Sequence, residues 1–390
     1  MTKSAQRARF ATAIYFFVHG LIVSTWFSRI PAVQTQLHLS PAELGLALLG
    51  TAAGALISMP ITGALVTRLG SRPISIGSTI LMCVSLTLLP HAPNQWFLTF
   101  ALAIYGVFSG AMNVSMNSQA VVVEQVYGRA IMSSFHALFS LGGMTGSALG
   151  GLAAGRGISP QTHFVISAVL FIAAAVAAGG LMMTGDKGRP GQPVFAKLSR
   201  PMIGLGCLAF CVLLNEGAMA DWSSVYLRRS LGTGEGVAAT GYAVFSFAMA
   251  FGRLLGDWMT ERFGRVNIVR VGGTLAALGL GIALVVGTVP ATLAGFIATG
   301  AGFSVIVPLT FGAAGRNGES AGVGLAAVNT AGYLGFLSGP AIIGFAAELS
   351  SLRAALGIVV LLSIFVALLA RTVSIPAGAK VISAREPVLQ

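Results

Sequence analysis

GDKGRPGQPVFAKLSR, residues 185–200, is the only stretch of this 390-residue chain that combines several prolines, glycines and basic residues. Before it run six apolar segments, at about 9–31, 42–66, 73–90, 95–122, 130–154 and 161–184. Six more follow it, at about 201–227, 236–260, 266–288, 291–314, 320–347 and 352–374. Each is close to the roughly 20 residues that a helix needs to cross a bilayer core. Residues 185–200 therefore read as a linker on the cytoplasmic side between two six-helix halves, 1–184 and 201–390.

Composition excludes a soluble protein. Charged residues make up 9% of the chain, against about a quarter in a globular domain. The hydrophobic fraction is 55% and the mean hydropathy is +0.85. Eleven acidic side chains cannot keep a surface of this size in water. The apolar bulk must face lipid, and the short connections leave no room for a sizeable extramembrane domain.

A net charge of +12 would suit a nucleic-acid binder, but the placement of the charge argues otherwise. The basic residues lie in short connections and tails. With both ends in the cytoplasm, only Arg29, Arg156, Arg228, Arg229 and Arg353 of the 23 Lys and Arg lie toward the other face. That asymmetry is the positive-inside signature of a multi-pass protein. It predicts a bacterial cytoplasmic (inner) membrane protein with both termini inside and no nucleic-acid partner. The opening MTKSAQRARF runs straight into apolar sequence without an A-x-A site and a polar region after it, so it reads as a first span. Cys83, Cys207 and Cys211 all fall inside apolar runs, so no disulfide framework is expected. Cys207 and Cys211 read as small helix-packing residues rather than a metal or redox pair.

The two halves repeat faintly. The connection GALVTRLGSRP (Gly63 to Pro73) after span 2 has a relative in GDWMTERFGR (Gly256 to Arg265) after span 8. Span 1 carries His19-Gly20 and then Trp26; span 7 carries Glu216-Gly217 and then Trp222. Spans 5 and 11 both hold glycine ladders, SLGGMTGSALGG and GYLGFLSGPAIIG, and spans 4 and 10 each run toward a Gly-Arg pair, Gly128-Arg129 and Gly315-Arg316. Parallel repeats of this kind predict two bundles related by a pseudo-two-fold axis, with a site near midplane between them.

Six plus six spans with related loops after spans 2 and 8 resemble the major facilitator superfamily. Within it, MNVSMNSQAVVVE, GRAIMSSFHALFSLGG, NEGAMADWSSVYLR and AGYLGFLSGP resemble the bacterial YbjJ-like branch, which is loosely related to fucose permeases. The resemblance covers about residues 10–375 and implies an all-α, twelve-helix fold and alternating-access transport, without naming a solute. Two features depart from the pattern. Thr67 stands where the first loop motif carries an acid. Span 5 lacks the Gly-Pro of the superfamily's proton/drug antiporters, whereas span 11 has Gly339-Pro340.

At 100° per residue, Gly106, Gly110, Asn113 and Asn117 share one stripe of span 4. They line a solute path or act as interhelical glue. In span 5 His136, Ser140, Gly143, Ser147 and Gly150 align, while Gly142 and Gly146 sit on a packing face. His136 is titratable inside the membrane, and such groups are functional by default; a structural hydrogen bond is the alternative. In span 7 Glu216 follows Asn215 and shares a stripe with Ala220, Ser223 and Leu227. Asp221 lies about 140° away, so the two carboxylates form separate sites, Asp221 with Trp222 nearer the outer end. Span 11 lines up Asn329, Tyr333, Phe336 and Pro340 as a site wall, and span 1 offers His19 and Trp26. The repeat sets His19 opposite Glu216 near midplane, an arrangement suited to switching a proton. Near the cytoplasmic face Arg68, Arg72, Arg253, Asp257, Glu261 and Arg262 read as loop ion pairs controlling closure, or as ordinary interfacial charge.

Other signals fail. GLGCLA (Gly204 to Ala209) and GVGLAA (Gly322 to Ala327) match a dinucleotide fingerprint but follow no strand, and 51 glycines make chance matches common. GVFSG (Gly106 to Gly110) has Val107 where the serine-protease motif needs glycine. There is no P-loop. No metal or other cofactor is expected, and no nucleophile–base pair supports a membrane-embedded lipid-acting enzyme. The reading is a monomeric secondary transporter of a small polar or amphipathic solute, coupled to protons, with solute, protons and lipid as its partners. A drug or metabolite efflux antiporter and a passive channel are the alternatives.

Overall fold

A computed structural model describes residues 3–129, 131–184, 197–317 and 321–374. Most of the linker, residues 185–196, and the tail from 375 onward lie outside the described residues. Among the described residues the only regular elements are helices, and twelve stretches are long and apolar enough to cross a membrane. The first six are Ser4–Gln36, Pro41–Leu69, Ser71–His91, Gln95–Tyr127, Met132–Gly155 and Pro160–Gly179. The second six are Ile203–Ser230, Glu235–Phe263, Arg265–Val286, Val289–Gly315, Gly324–Leu349 and Leu352–Val373. They are called spans 1 to 12 in chain order.

The ends of the spans follow local chemistry. Span 2 opens on a capping box, Ser40 accepting from the Glu43 amide at 3.2 Å and Glu43 from the Ser40 amide at 2.8 Å, with Pro41 in the first turn. Asn94 and Ser159 cap spans 4 and 6 in the same sense. The repeated loop motif has a backbone reason. Gly70, at φ 87°, is the single residue between spans 2 and 3, and Gly264, at φ 77°, is the single residue between spans 8 and 9. Both glycines adopt an extended positive-φ conformation that a side chain would strain. Glu124, near the end of span 4, accepts from the amides of Ile131 and Met132 at 2.7 and 2.8 Å. It thereby satisfies free N–H groups at the start of span 5.

Glycines set the packing inside each bundle. A Cβ on Gly20 would lie 2.1 Å from the Phe139 carbonyl, and one on Gly142 would lie 2.1 Å from the Phe17 carbonyl, so spans 1 and 5 touch backbone to backbone. Spans 7 and 11 repeat this, with Gly335 against the Phe210 carbonyl. In lipid, where apolar burial drives little association, such close approach supplies the contact energy. Gly142 and Gly146 are thus packing residues, as their face predicts. Gly106 and Gly110 are also packing residues, pressed on Thr51 and Ala55 of span 2, so the span 4 stripe is no open path along that length.

Between the bundles, spans 5 and 8 and spans 2 and 11 make the extended contacts. Ser147 donates to the Ala239 carbonyl at 2.7 Å, Ser224 to the Phe27 carbonyl at 2.9 Å, and the Ala42 amide to Glu348 at 3.3 Å. These bonds cluster at the end that carries the 1–2, 7–8 and 11–12 connections. The Gly70 and Gly264 turns lie at the other end, and in that half Arg253 of span 8 donates across to Ser140 and the His136 carbonyl of span 5.

Candidate functional site

Arg253 sits ten residues before the end of span 8, about 15 Å along its axis. Its charge is permanent, so inside a membrane it must find partners. It finds them in both bundles. Nη1 donates to Ser140 Oγ at 2.7 Å and to the His136 carbonyl at 3.4 Å, both on span 5. Nη2 lies 3.9 Å from a Glu216 carboxylate oxygen on span 7. The second oxygen of Glu216 is buried without a hydrogen-bond partner. Arg253 therefore does not belong with the loop charges, where its place in the sequence had set it. It stands on the face of span 8 that meets span 5, together with Tyr242 and Ser246, which abut Gly143.

Along the expected span 5 stripe Ser140, Gly143, Ser147 and the His136 carbonyl meet span 8, whereas Gly150 faces Ser28 and His163 of the first bundle. The His136 ring also stands edge-on to Phe16, with 5.3 Å between centroids. His19 and Glu216 do not meet. His19 is buried inside the first bundle, its Nε2 3.2 Å from Ser109 Oγ on span 4 and its ring tilted against Phe139. The other ring nitrogen has no partner. Packing between spans 1, 4 and 5 holds the imidazole against Ser109 and Phe139, and Glu216 pairs with Arg253 instead.

Asn117 donates to the Asn113 carbonyl at 2.8 Å and to its side-chain oxygen at 3.1 Å, a pairing along one helix that leaves both half-buried. Asn329, Tyr333 and Phe336 are likewise half-buried on span 11, with Phe336 against Gly217 of span 7. Asn215 and Trp26 are buried within their own bundles. Asn215 faces Ser363 of span 12 at 3.3 Å, and Trp26 packs on Phe164 within the first bundle. Asp221 is buried beside Trp222, toward the joined end. Arg68, Asp257, Glu261 and Arg262 are exposed and Arg72 is half-buried. Among the described residues none of the five forms an ion pair within 4.0 Å.

The ion pair that does join the bundles lies at the opposite end. Arg29, 1% exposed between the two helical segments of span 1, meets Glu235 at the start of span 8 at 3.0 Å. The same guanidinium donates to the Ile158 carbonyl and to His163 Nδ1, the latter at 3.4 Å. Above Arg253, Phe27 stands edge-on to Tyr242 at 5.0 Å. Sequence reasoning counted Arg29 only toward topology. The available signal was an arginine between two apolar helical runs, in TWFSRIPAV.

Comparison with known proteins agrees with this architecture. The family model of the Major Facilitator Superfamily matches residues 11–337 and 205–388. An MFS-type transporter of Yersinia pestis is 38% identical over 367 residues, 93% of this chain and 95% of the relative. The membrane protein MosC of Rhizobium meliloti is 33% identical over 363 residues, 92% of this chain and 88% of MosC. Among solved structures, a mutant of the nucleoside transporter NupG superposes with a TM-score of 0.75 at 13% identity, covering 94% of this chain and 99% of that one. An inward-facing, occupied bacterial homologue of the lysosomal transporter Spinster also gives 0.75, at 14% identity, covering 96% and 97%. The chain is a membrane transporter, not an enzyme, and it belongs to the major facilitator superfamily.

Proposed function

We propose that this transporter moves a small polar or amphipathic solute between its two bundles by alternating access, coupled to protons through Glu216. One observation carries the reading: Arg253 holds span 5 of one bundle and Glu216 of the other bundle at once. A carboxylate out of water needs either a counter-charge or a proton. A proton on Glu216 releases Arg253, and a freed Arg253 changes what joins the bundles. The half-buried Asn113, Asn117, Asn329 and Tyr333 supply uncharged hydrogen-bonding groups for a neutral or modestly charged solute.

The basic asymmetry supports an inner-membrane protein with cytoplasmic termini. On that orientation the Arg29–Glu235 end faces away from the cytoplasm. The protein works as a monomer, each chain having its own two bundles.

A thermal-shift screen of the purified chain against sugars, amino acids, nucleosides and common drugs identifies the solute. Glu216→Gln in proteoliposomes then abolishes gradient-driven accumulation and leaves solute exchange intact. Accumulation that persists in this variant removes Glu216 as the coupling acid and moves attention to Asp221 or His136.

A further inference from the structure

On the outside of the second bundle, spans 9 and 12 cross where Gly273 meets the backbone of Ser363 and Ala367. Along their length they leave a groove of about 920 Å³. Leu278, Ile282 and Val285 of span 9 and Ile364 and Leu368 of span 12 are among its apolar walls. Arg270 and Arg371 line the same groove. Both lie at the end of the molecule that carries the Gly264 turn: Arg270 is five residues into span 9 and Arg371 is two residues from the end of span 12.

Both arginines are exposed. Among the described residues neither guanidinium forms an ion pair, and no carboxylate lines the groove. Arg265, at the start of span 9, adds a third cation at this end; the nearest acid along the chain is Glu261, exposed on span 8.

A guanidinium on the lipid-facing side of a span cannot shed its proton, and it is costly there unless it reaches the headgroup layer or an anion. Two of them on one groove repel each other, and one anion between them relieves both. Phosphate oxygens match the guanidinium fork, which can bind them bidentately. The walls run from the arginines toward the bilayer centre, the course an acyl chain takes. We propose that the groove between spans 9 and 12 binds an anionic phospholipid, its phosphate on Arg270 and Arg371 and its chains on the apolar walls. Basic pockets between spans are suited to such headgroups. A soluble phosphate would use the arginines but leave the walls without a purpose.

Native mass spectrometry of the full chain in dodecylmaltoside tests this, with dioleoylphosphatidylglycerol, dioleoylphosphatidylcholine or glycerol 3-phosphate added. Wild type retains phosphatidylglycerol in preference to phosphatidylcholine. The double variant Arg270→Gln, Arg371→Gln weakens phosphatidylglycerol binding by about thirtyfold, at roughly a factor of five for each charge removed. Phosphatidylcholine binding stays where it was. Equal retention of the two lipids by wild type overturns the proposal, as does unchanged phosphatidylglycerol affinity in the variant. Displacement of the lipid by equimolar glycerol 3-phosphate overturns it too, since the site then takes a soluble anion. Should the variant fail to fold, the wild-type preference and its loss at high salt decide.

Discussion

Arg29 of span 1 and Glu235 of span 8 close one end of the molecule with a 3.0 Å ion pair, and the two residues are held very differently. Arg29 is 1% exposed and is also engaged by the Ile158 carbonyl and His163, whereas Glu235 is 37% exposed. The arginine is built into the first bundle, and the glutamate is a removable partner. Under the alternating access proposed above, such a pair would serve as a latch, firm on one side and releasable on the other.

The asymmetry predicts unequal mutants. Glu235→Gln keeps an oxygen for Arg29 but removes the countercharge of a buried guanidinium, and lowers stability by about 1.5 kcal/mol. Arg29→Ala strips a buried donor set and costs about 3 kcal/mol. Both variants raise labelling of cysteine probes placed at the joined end. Exchanging the charges, Arg29→Glu with Glu235→Arg, fails to restore the latch, because the Ile158 carbonyl and His163 Nδ1 still call for a donor. Recovery of wild-type labelling in the exchanged pair would show that only the charge product matters.

Arg253→Lys keeps the charge but offers one compact ammonium in place of a fork that serves Ser140 and Glu216 together. Transport falls at least about tenfold while expression and folding persist. Arg253→Ala leaves Glu216 without its cation and lowers the melting temperature as well. A lysine variant with wild-type transport would mean that bridging the bundles is not what Arg253 contributes.

Asp257 is exposed and, among the described residues, without an ion pair in this conformation. Thr67 offers no acid in the equivalent first loop, and we propose that closure of this end leans on Asp257 when the bundles meet there. Asp257→Asn shifts the population further toward the conformation described here and lowers transport, without changing the melting temperature of that conformation. Unchanged probe accessibility at the Gly70–Gly264 end removes this role.

Among the described residues Asn117 bonds along its own helix, to Asn113. Asn117→Ala therefore changes apparent solute affinity severalfold and costs no more than about 1 kcal/mol in stability, the net value of a typical hydrogen bond. Buried glue would give the reverse, a large fall in melting temperature with unchanged affinity.

Gly20→Val drives a side chain into the Phe139 backbone, where a Cβ already lies at 2.1 Å, and costs about 3 kcal/mol in detergent unfolding. Gly77→Ala, with nothing within 4 Å of its Cβ, is tolerated. Equal stability of the two would show that spans 1 and 5 separate at little cost.

Membrane insertion is a property of local composition, and so it is legible in the chain. Twelve apolar runs determined the span count, and the 185–200 divide and the placement of basic residues set the expected halves and topology. The repeat of the two loops was readable, but its reason, a one-residue turn at positive φ that demands glycine at Gly70 and Gly264, came from the structure. Periodicity also placed His136 and Ser140 on one face of span 5, and that face does meet the other bundle. Which residues meet across helices was not readable. His19 and Glu216 are equivalent under the repeat, yet backbone contact at Gly20 and Gly142 draws span 1 onto span 5 and holds His19 beside Ser109, while Glu216 turns to Arg253. Arg253 looked like a loop charge because its neighbours in sequence are loop charges, but a long side chain one turn farther into a span reaches a different environment. The Arg29–Glu235 latch joins residues 206 positions apart. Such a contact exists only once two bundles have docked, and no local pattern in either strand of sequence encodes it.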